Sequence, residues 1–406
     1  MMQFHIRFRK VYAIMIGVVF FVAGTLKLLD PVGAGLVVEE YFKFLHIGFL
    51  MPVSKATGVA LAFLEAITGA ALITRSYKRI AAISASTLTV VFTILTLFLW
   101  IKNPPMDCGC FGEVIHLTHF QTFVKNIILL CLCAAAFLPF KEFRADKAHK
   151  LVSFWIMFAT LVVMTAYSLR HIPIMDFTPY TPSSRLYEAA KEDMDGEDEY
   201  VPSFVYEKNG QTGVFTIDHL PDSTWTFVRS ETIRREDNLK ETRFPILSFT
   251  DADRVQCDSL AVRKDVLIVS VYRPEKMDAR KWEKVADLLE KASDAGFSQL
   301  LLAASTPEEF KLPEELGEDK KAIIAGSVYY ADYKELISLN RANGGATWFH
   351  NGNLIEKWSA NNHPGSRELE KIIRSNSTST MLKASTKGRL AFQALFLYSF
   401  AVMILI

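Results

Sequence analysis

Five apolar runs, each about as long as a bilayer crossing, fill most of the first 170 positions. Polar, mixed sequence then takes over as far as about residue 375. The runs are Tyr12–Leu29, Val53–Thr74, Ile80–Trp100, Phe123–Phe140 and Leu151–Leu169. About 20 apolar residues in a helix cross the hydrocarbon core, so the pattern predicts five spanning helices, the first ended by Asp30-Pro31. That first run follows Arg7, Arg9 and Lys10, as a secretory leader would. It is too long for one, and no small-residue cleavage site leads into a polar start, so it reads as a spanning helix. Leu390–Ile406 is apolar enough to be a sixth span. However, Lys383, Lys387 and Arg389 precede it on the wrong side for the positive-inside rule.

Past Arg170 the pattern changes. Pro173, Pro179 and Pro182 mark a linker, and Glu188–Glu199 is an acidic run expected to be solvated. Val201–Val205 and Gly213–Ile217 flank Lys208-Asn209-Gly210, a hairpin signal, with a further strand over Thr224–Val228. From Phe244 onward, buried strands at Asp265–Tyr272 and Ser298–Ala304 bracket a helix over Pro274–Ala295. Trp282, Val285, Leu288 and Leu289 form its apolar stripe. A short helix over Pro307–Leu316, a strand at Val328–Ala331 and a helix capped by Asp332 follow. Strands at Ala346–His350 and Leu354–Trp358 turn at Asn351-Gly352, and Pro364–Arg374 closes as a helix. A β-α-β half followed by a hairpin and a helix resembles the layout of thioredoxin. The Ser/Thr-rich stretch 375–386 reads as a flexible linker.

Composition agrees with a membrane chain: half of the 406 residues are hydrophobic and thirty are phenylalanine. The formal net charge of +1 gives no reason to expect a nucleic-acid partner. Membrane lipid is the partner that the apolar runs imply. Orientation follows from the short loops. Basic residues gather in the N-terminal arm, in Arg75–Arg79 and in the 141–150 loop, whereas the 101–121 loop has only Lys102. The positive-inside rule then puts the N-terminus in the cytoplasm and the 101–121 loop outside, together with residues 170–386. In a bacterium that side is the periplasm, where thiols can be oxidised.

The outer loop carries Asp107-Cys108-Gly109-Cys110-Phe111-Gly112 at the lip of the third span. Two readings of Cys108 and Cys110 stay open. They form a tight structural turn, or they cycle between dithiol and disulfide. A Cys-x-Cys ring is small, so its disulfide is strained and easily reduced, which suits transfer better than structure. Lys102 and Lys125 are nearby cations that would favour a thiolate. His116 and His119 could complete a zinc set, but the spacing is wrong for zinc, and no metal is assigned. Glu65 sits in the middle of an apolar helix, where a carboxylate is costly and needs a partner or a cavity. Lys27 is the nearest candidate cation, with Asp30 three residues on. A Lys27–Glu65 contact would fix the bundle and could border a quinone or lipid. Cys131 and Cys133 lie at i and i+2 of one helix and cannot pair with each other, so they read as packing or lipid-facing residues. Cys257 reads as an unpaired small residue.

Residues 10–140 resemble the MauE/DoxX family of four-helix membrane proteins. The stretch from Phe20 to Pro31, Glu65 within Phe63-Leu64-Glu65-Ala66, the Cys108–Gly112 motif and Asn126 carry the resemblance. MauE is similar in layout to quinone-linked disulfide-bond proteins of the DsbB and vitamin-K-epoxide-reductase type. It is implicated in maturing a disulfide-rich dehydrogenase subunit, beside the thioredoxin-like MauD. The resemblance implies Cys108 and Cys110 as redox residues, with Lys27, Glu65 and Asn126 around a cofactor, a quinone being the candidate. It does not imply methylamine oxidation itself. The thioredoxin-like part departs from its pattern. After the central strand stands Tyr272-Arg273-Pro274-Glu275-Lys276-Met277-Asp278, without a Cys-x-x-Cys, and Ala346-Thr347 stands where the cis-proline would be.

The expected architecture is therefore a membrane helical bundle with an extracytoplasmic α/β thioredoxin-like domain and a small β subdomain. Its parts are 1–145 (four-helix bundle), 146–184 (fifth helix and linker), 185–243 (β subdomain), 244–375 (thioredoxin-like domain lacking Cys-x-x-Cys) and 376–406 (linker and C-terminal helix). Two functions fit. One is an inner-membrane thiol-redox or maturation factor that meets a periplasmic client or partner oxidoreductase. The other is a non-enzymatic scaffold with a structural Cys-Gly-Cys turn.

Overall fold

The structure is a computed structural model. It describes residues 2–104, 106, 109–113, 117–138, 148–189, 200–208, 211–216, 221, 224–234 and 244–405. Cys108, His116, the loop 141–147, most of the acidic run and the Asn209-Gly210 turn lie outside the described residues. The chain divides into two compact units. One is Met1–Phe177 with Thr386–Ile406, and the other is Thr178–Ser385.

The first unit is helical: α1 (Met2–Leu29), α2 (Pro31–Phe44), α3 (Ser54–Thr74), α4 (Lys78–Lys102), α5 (His119–Phe137) and α6 (Ala148–Arg170), with a short strand β1 (Cys110–Glu113) between α4 and α5. Among the described residues five helical segments are long and apolar enough to cross a membrane. They are Phe8–Leu29, Gly48–Thr74, Lys78–Lys102, His119–Phe137 and Lys150–Arg170. Helix α2 was not expected. Asp30-Pro31 ends α1 but also starts α2, because Asp30 accepts from the Gly33 amide at 3.0 Å and Pro31 takes the first helical position.

Small residues set the packing of α1 on α3. A Cβ built on Gly17 would lie 3.1 Å from the Gly69 carbonyl, and one on Gly24 would lie 2.6 Å from that of Ala62. Backbones approach this closely where side chains are absent, which is a main source of helix association in lipid. Arg9 Nε donates to the Ala136 carbonyl at 3.0 Å and Ser76 Oγ to that of Lys150 at 2.8 Å. These bonds bring the starts of α1 and α6, the α3–α4 turn and the end of α5 to one end of the bundle.

The second unit holds two sheets. The smaller joins β2 (Tyr200–Lys208), β3 (Gln211–Thr216) and β4 (Thr226–Arg234) as an antiparallel sheet in the order β3-β2-β4, with β2 in the centre. The larger contains β5 (Phe249–Thr250), β6 (Val266–Val271), β7 (Ser298–Ala303), β8 (Val328–Ala331), β9 (Gly345–His350) and β10 (Asn353–Trp358), in the order β10-β9-β6-β7-β8-β5. Strands β6, β7 and β8 run parallel, and β9, β10 and β5 are antiparallel to their neighbours. Helices α7 (Ala279–Ala295), α8 (Glu318–Ala325), α9 (Tyr333–Leu339) and α10 (Ser366–Ile373) complete this part. The α7 stripe is buried as expected, through Trp282, Val285, Leu288 and Leu289. Burying each such side chain contributes roughly 1.5–3 kcal/mol.

Two expectations fail here. Residues 307–316 are turns rather than a helix, because Pro313 disfavours helical backbone just before it. The helix forms later, at α8, with Glu318 and Asp319 in its first turn. The expected flexible linker 375–386 is instead the start of α11 (Ser377–Leu405), which the Asn376 side chain caps by accepting from the Ser379 amide at 3.0 Å. The apolar end of α11 joins the core cluster of the helical unit through Phe396, Phe400 and Met403, with the Phe400 ring edge-on to Phe21 of α1 at 5.8 Å. It is not one of the five segments apolar enough to span.

Candidate functional site

The helical unit encloses a cavity of about 120 Å³, walled mainly by apolar side chains from α1 to α5. Polar groups enter it from five directions: Lys27 from α1, Glu65 from α3, Thr89 and Thr96 from α4, Cys110 from β1, and Lys125 with Asn126 from α5. Lys27 Nζ donates to both oxygens of Glu65, at 2.8 and 2.9 Å. Glu65 is 2% exposed. An isolated charge at this depth would be costly, and the two-bonded cation supplies its compensation. Asn126 donates to the Thr96 hydroxyl at 3.1 Å, inside the α4–α5 interface.

Gly109 sets Cys110 against the cavity. Its φ is +60°, and a Cβ there would come within 2.7 Å of Val37 Cγ2. Only glycine turns the chain this tightly against α2. Gly112, at φ +64°, lies over the Lys27 stem, with an added Cβ 3.9 Å from Lys27 Cγ. Phe111 packs against the apolar cluster to which Leu26 and Leu28 belong, and Lys125 Nζ stands 5.0 Å above its ring. The short strand is thus laid beside the last turn of α1, against the stem of Lys27.

Residues 7–139 match the family model of the methylamine utilisation protein MauE. The match covers α1 to α5 and therefore every residue lining the cavity. It ends before α6 and does not reach the sheet unit. Residues 200–236, the three-stranded sheet, match a domain of unknown function, DUF8463. No curated protein and no solved structure matches the chain.

Of the residues expected at the site, the MauE-like part brings Lys27, Glu65, Cys110 and Asn126 to one cavity, and Cys108 lies outside the described residues. Lys125 lines it too, whereas Lys102 stands exposed in the last turn of α4. Asp30 caps α2. His119 Nε2 bonds the Pro104 carbonyl at 3.1 Å. Among the described residues no three His, Cys, Asp or Glu side chains gather as a metal set. Cys131 is exposed on α5, and Cys133 is buried with its sulfur 3.8 Å from the Thr89 hydroxyl. The threonines of α4 were not anticipated. Thr89, Thr93 and Thr96 each return a bond to a carbonyl four residues back, at 2.6–2.7 Å, and so sit in apolar surroundings without needing water.

In the sheet unit, the loop after β6 is held by side chains rather than by sulfur chemistry. The Arg273 amide donates to Asn343 Oδ1 at 2.9 Å, Asn343 Nδ2 donates back to the Arg273 carbonyl at 3.0 Å, and Arg273 Nη2 bonds the Tyr333 hydroxyl at 2.9 Å. His363 bonds the Gly344 carbonyl at 2.8 Å, and burial holds its pKa below the ordinary value. Nearby on α9, Glu335 accepts from the Ser248 amide at 2.6 Å and from the Tyr180 hydroxyl at 3.3 Å. Burial pushes its pKa up to about 7. Cys257, half-buried before β6, bonds the Val255 carbonyl through its sulfur at 3.3 Å.

Proposed function

We propose that the chain is a membrane thiol-redox or protein-maturation factor of the MauE type, with Cys108 and Cys110 as its working pair on the periplasmic face of an inner membrane. The observation that carries the reading is the position of Cys110 on a cavity that also holds a two-bonded buried ion pair and Asn126. In this scheme a client dithiol reduces the Cys108–Cys110 disulfide by exchange. The client's S–S bond forms as that of the pair breaks. The pair then returns to the disulfide by giving two electrons and two protons to a quinone, which leaves as quinol. Lys27, Glu65 and Asn126 would border the quinone head.

The sheet unit fits a thioredoxin-like domain that has exchanged dithiol chemistry for docking. Its β6-α7-β7 half, the β9–β10 hairpin and α10 match that layout. The loop after β6 offers Arg273 and its hydrogen-bonded frame where a thioredoxin would carry cysteines. This domain would hold the client or a partner oxidoreductase.

Maleimide trapping of the full chain in native membranes tests the reading. Thiols at Cys108 and Cys110 should be blocked after oxidation with a soluble quinone and become labelled after reduction. A pair that never changes state overturns it. The same cysteine-free loop after β6 also favours a second reading, a non-enzymatic scaffold. Full complementation of a deletion strain by the Cys108→Ser, Cys110→Ser chain would decide for that alternative.

A further inference from the structure

Oxidising a dithiol requires a thiolate, and the proton must go somewhere. In open loops it goes to water. Cys110 instead lines a mostly apolar cavity whose described walls hold one carboxylate, Glu65, and two ammonium groups, Lys27 and Lys125. All four groups line this one cavity, and Lys27 Nζ lies 2.8 Å from Glu65 Oε1. The strand bearing Cys110 rests on the Lys27 stem, through Gly112.

We infer that Lys27 is the counter-ion of the Cys110 thiolate, and that Glu65 is the resting partner of Lys27 that takes up the thiol proton. This rests on the reading of Cys110 as a redox thiol. At rest, Lys27 binds the Glu65 carboxylate. When the thiol ionises, its S–H bond breaks, the proton forms an O–H bond on Glu65, and Lys27 turns to the sulfur. The proton passes from one group of the cavity to another, so the net charge of its walls is the same before and after. The swap therefore avoids creating a net buried charge, which is the costly event in a low-dielectric site. The proton on Glu65 is then available to the quinone oxygen as electrons arrive. Lys27 and Glu65 are thus positioning and proton-holding residues rather than a passive strut across α1 and α3.

The two halves of the pair make opposite predictions, which a purely structural role does not. Removing the carboxylate leaves Lys27 wholly to the thiolate, so Glu65→Gln should move the midpoint of Cys110 ionisation to lower pH. Removing the cation should move it the other way in Lys27→Met. The readout is the rate of iodoacetamide alkylation of the Cys110 peptide against pH, by mass spectrometry, on the reduced full chain. A shift of about one unit in each direction, tenfold in thiolate at fixed pH, is the expected size. Lys27→Arg, which keeps the charge, should stay near the parent midpoint.

Difference infrared spectra between disulfide and reduced states provide a second readout that needs no variant to fold. A protonated carboxyl should appear on reduction at pH values below the thiol midpoint, while the shared proton is retained, and should fade as the pH is raised through that midpoint. Glu65→Asp should shift its frequency. Midpoints that do not move, or that move the same way in both variants, overturn the inference even if the pair still cycles in maleimide trapping. A pair that never cycles overturns the parent reading instead. Opposite shifts with a carboxyl signal support the proton swap.

Discussion

At the scale of single residues, the ion pair was the most legible feature. A carboxylate in the middle of an apolar helix must find a cation, and Lys27 and Glu65 meet at 2.8 Å. Glu335 was not legible, because its environment is assembled from distant pieces. Ser248 and Tyr180 approach it from segments 87 and 155 residues away in sequence. Burial, the largest cause, raises its pKa from 4.5 to about 7, and Asp258 and Asp332 act in the same direction against the two hydrogen bonds. A raised folded-state pKa means that the proton stabilises the fold. The contribution is complete below about pH 4.5 and is lost as pH rises through about 7. The sheet unit should therefore be more stable at pH 5 than at pH 8, by on the order of 1–3 kcal/mol from this group. Glu335→Gln should flatten that difference. Hydrogen exchange at the Ser248 amide, followed in both chains at both pH values, checks the sign and the site.

At the scale of elements, long apolar periods and the α7 stripe were readable to within a few residues, while boundaries set by proline and by caps were not. Asp30-Pro31 reads as a stop, yet the same two residues satisfy the first amides of α2, so one signal served both helices. The Pro307–Leu316 stretch reads as a short helix, but Pro313 interrupts it, and Gly317 begins α8 instead. The 375–386 stretch looks like a linker by composition. Asn376 caps it, and Met381 packs on the sheet core, so context outweighs the weak helix preference of its serines and threonines. Packing of α1 on α3 gives the prediction at this scale. Gly24→Ala and Gly69→Ala put a Cβ against backbone atoms of the facing helix, which cannot yield as a flexible side chain would. Each should cost on the order of 1–3 kcal/mol. Both should lower the thermal midpoint of the purified chain in detergent. Gly317→Ala and Gly365→Ala, where nothing lies within 4 Å, should leave it unchanged.

At the scale of the whole molecule, the question is which face of the membrane the Cys110 cavity opens toward. The bonds from Arg9 to Ala136 and from Ser76 to Lys150 place Arg9, the Arg75–Arg79 turn and the start of α6 at the same end of the bundle. That turn brings three cations and no acid. Cys110 sits beside the opposite end of α1, near Lys27. Under the positive-inside rule the basic end stays in the cytoplasm, so the cavity mouth should face outward. Single cysteines placed at two exposed positions, Arg79→Cys and Lys102→Cys, in a chain otherwise free of cysteine, decide this. A membrane-impermeant maleimide should label the Lys102→Cys chain in intact cells. It should label the Arg79→Cys chain only after the inner membrane is opened. The reverse pattern would put Cys110 in a reducing compartment, where a strained Cys-x-Cys disulfide would not persist, and would leave the buried ion pair as a packing device alone.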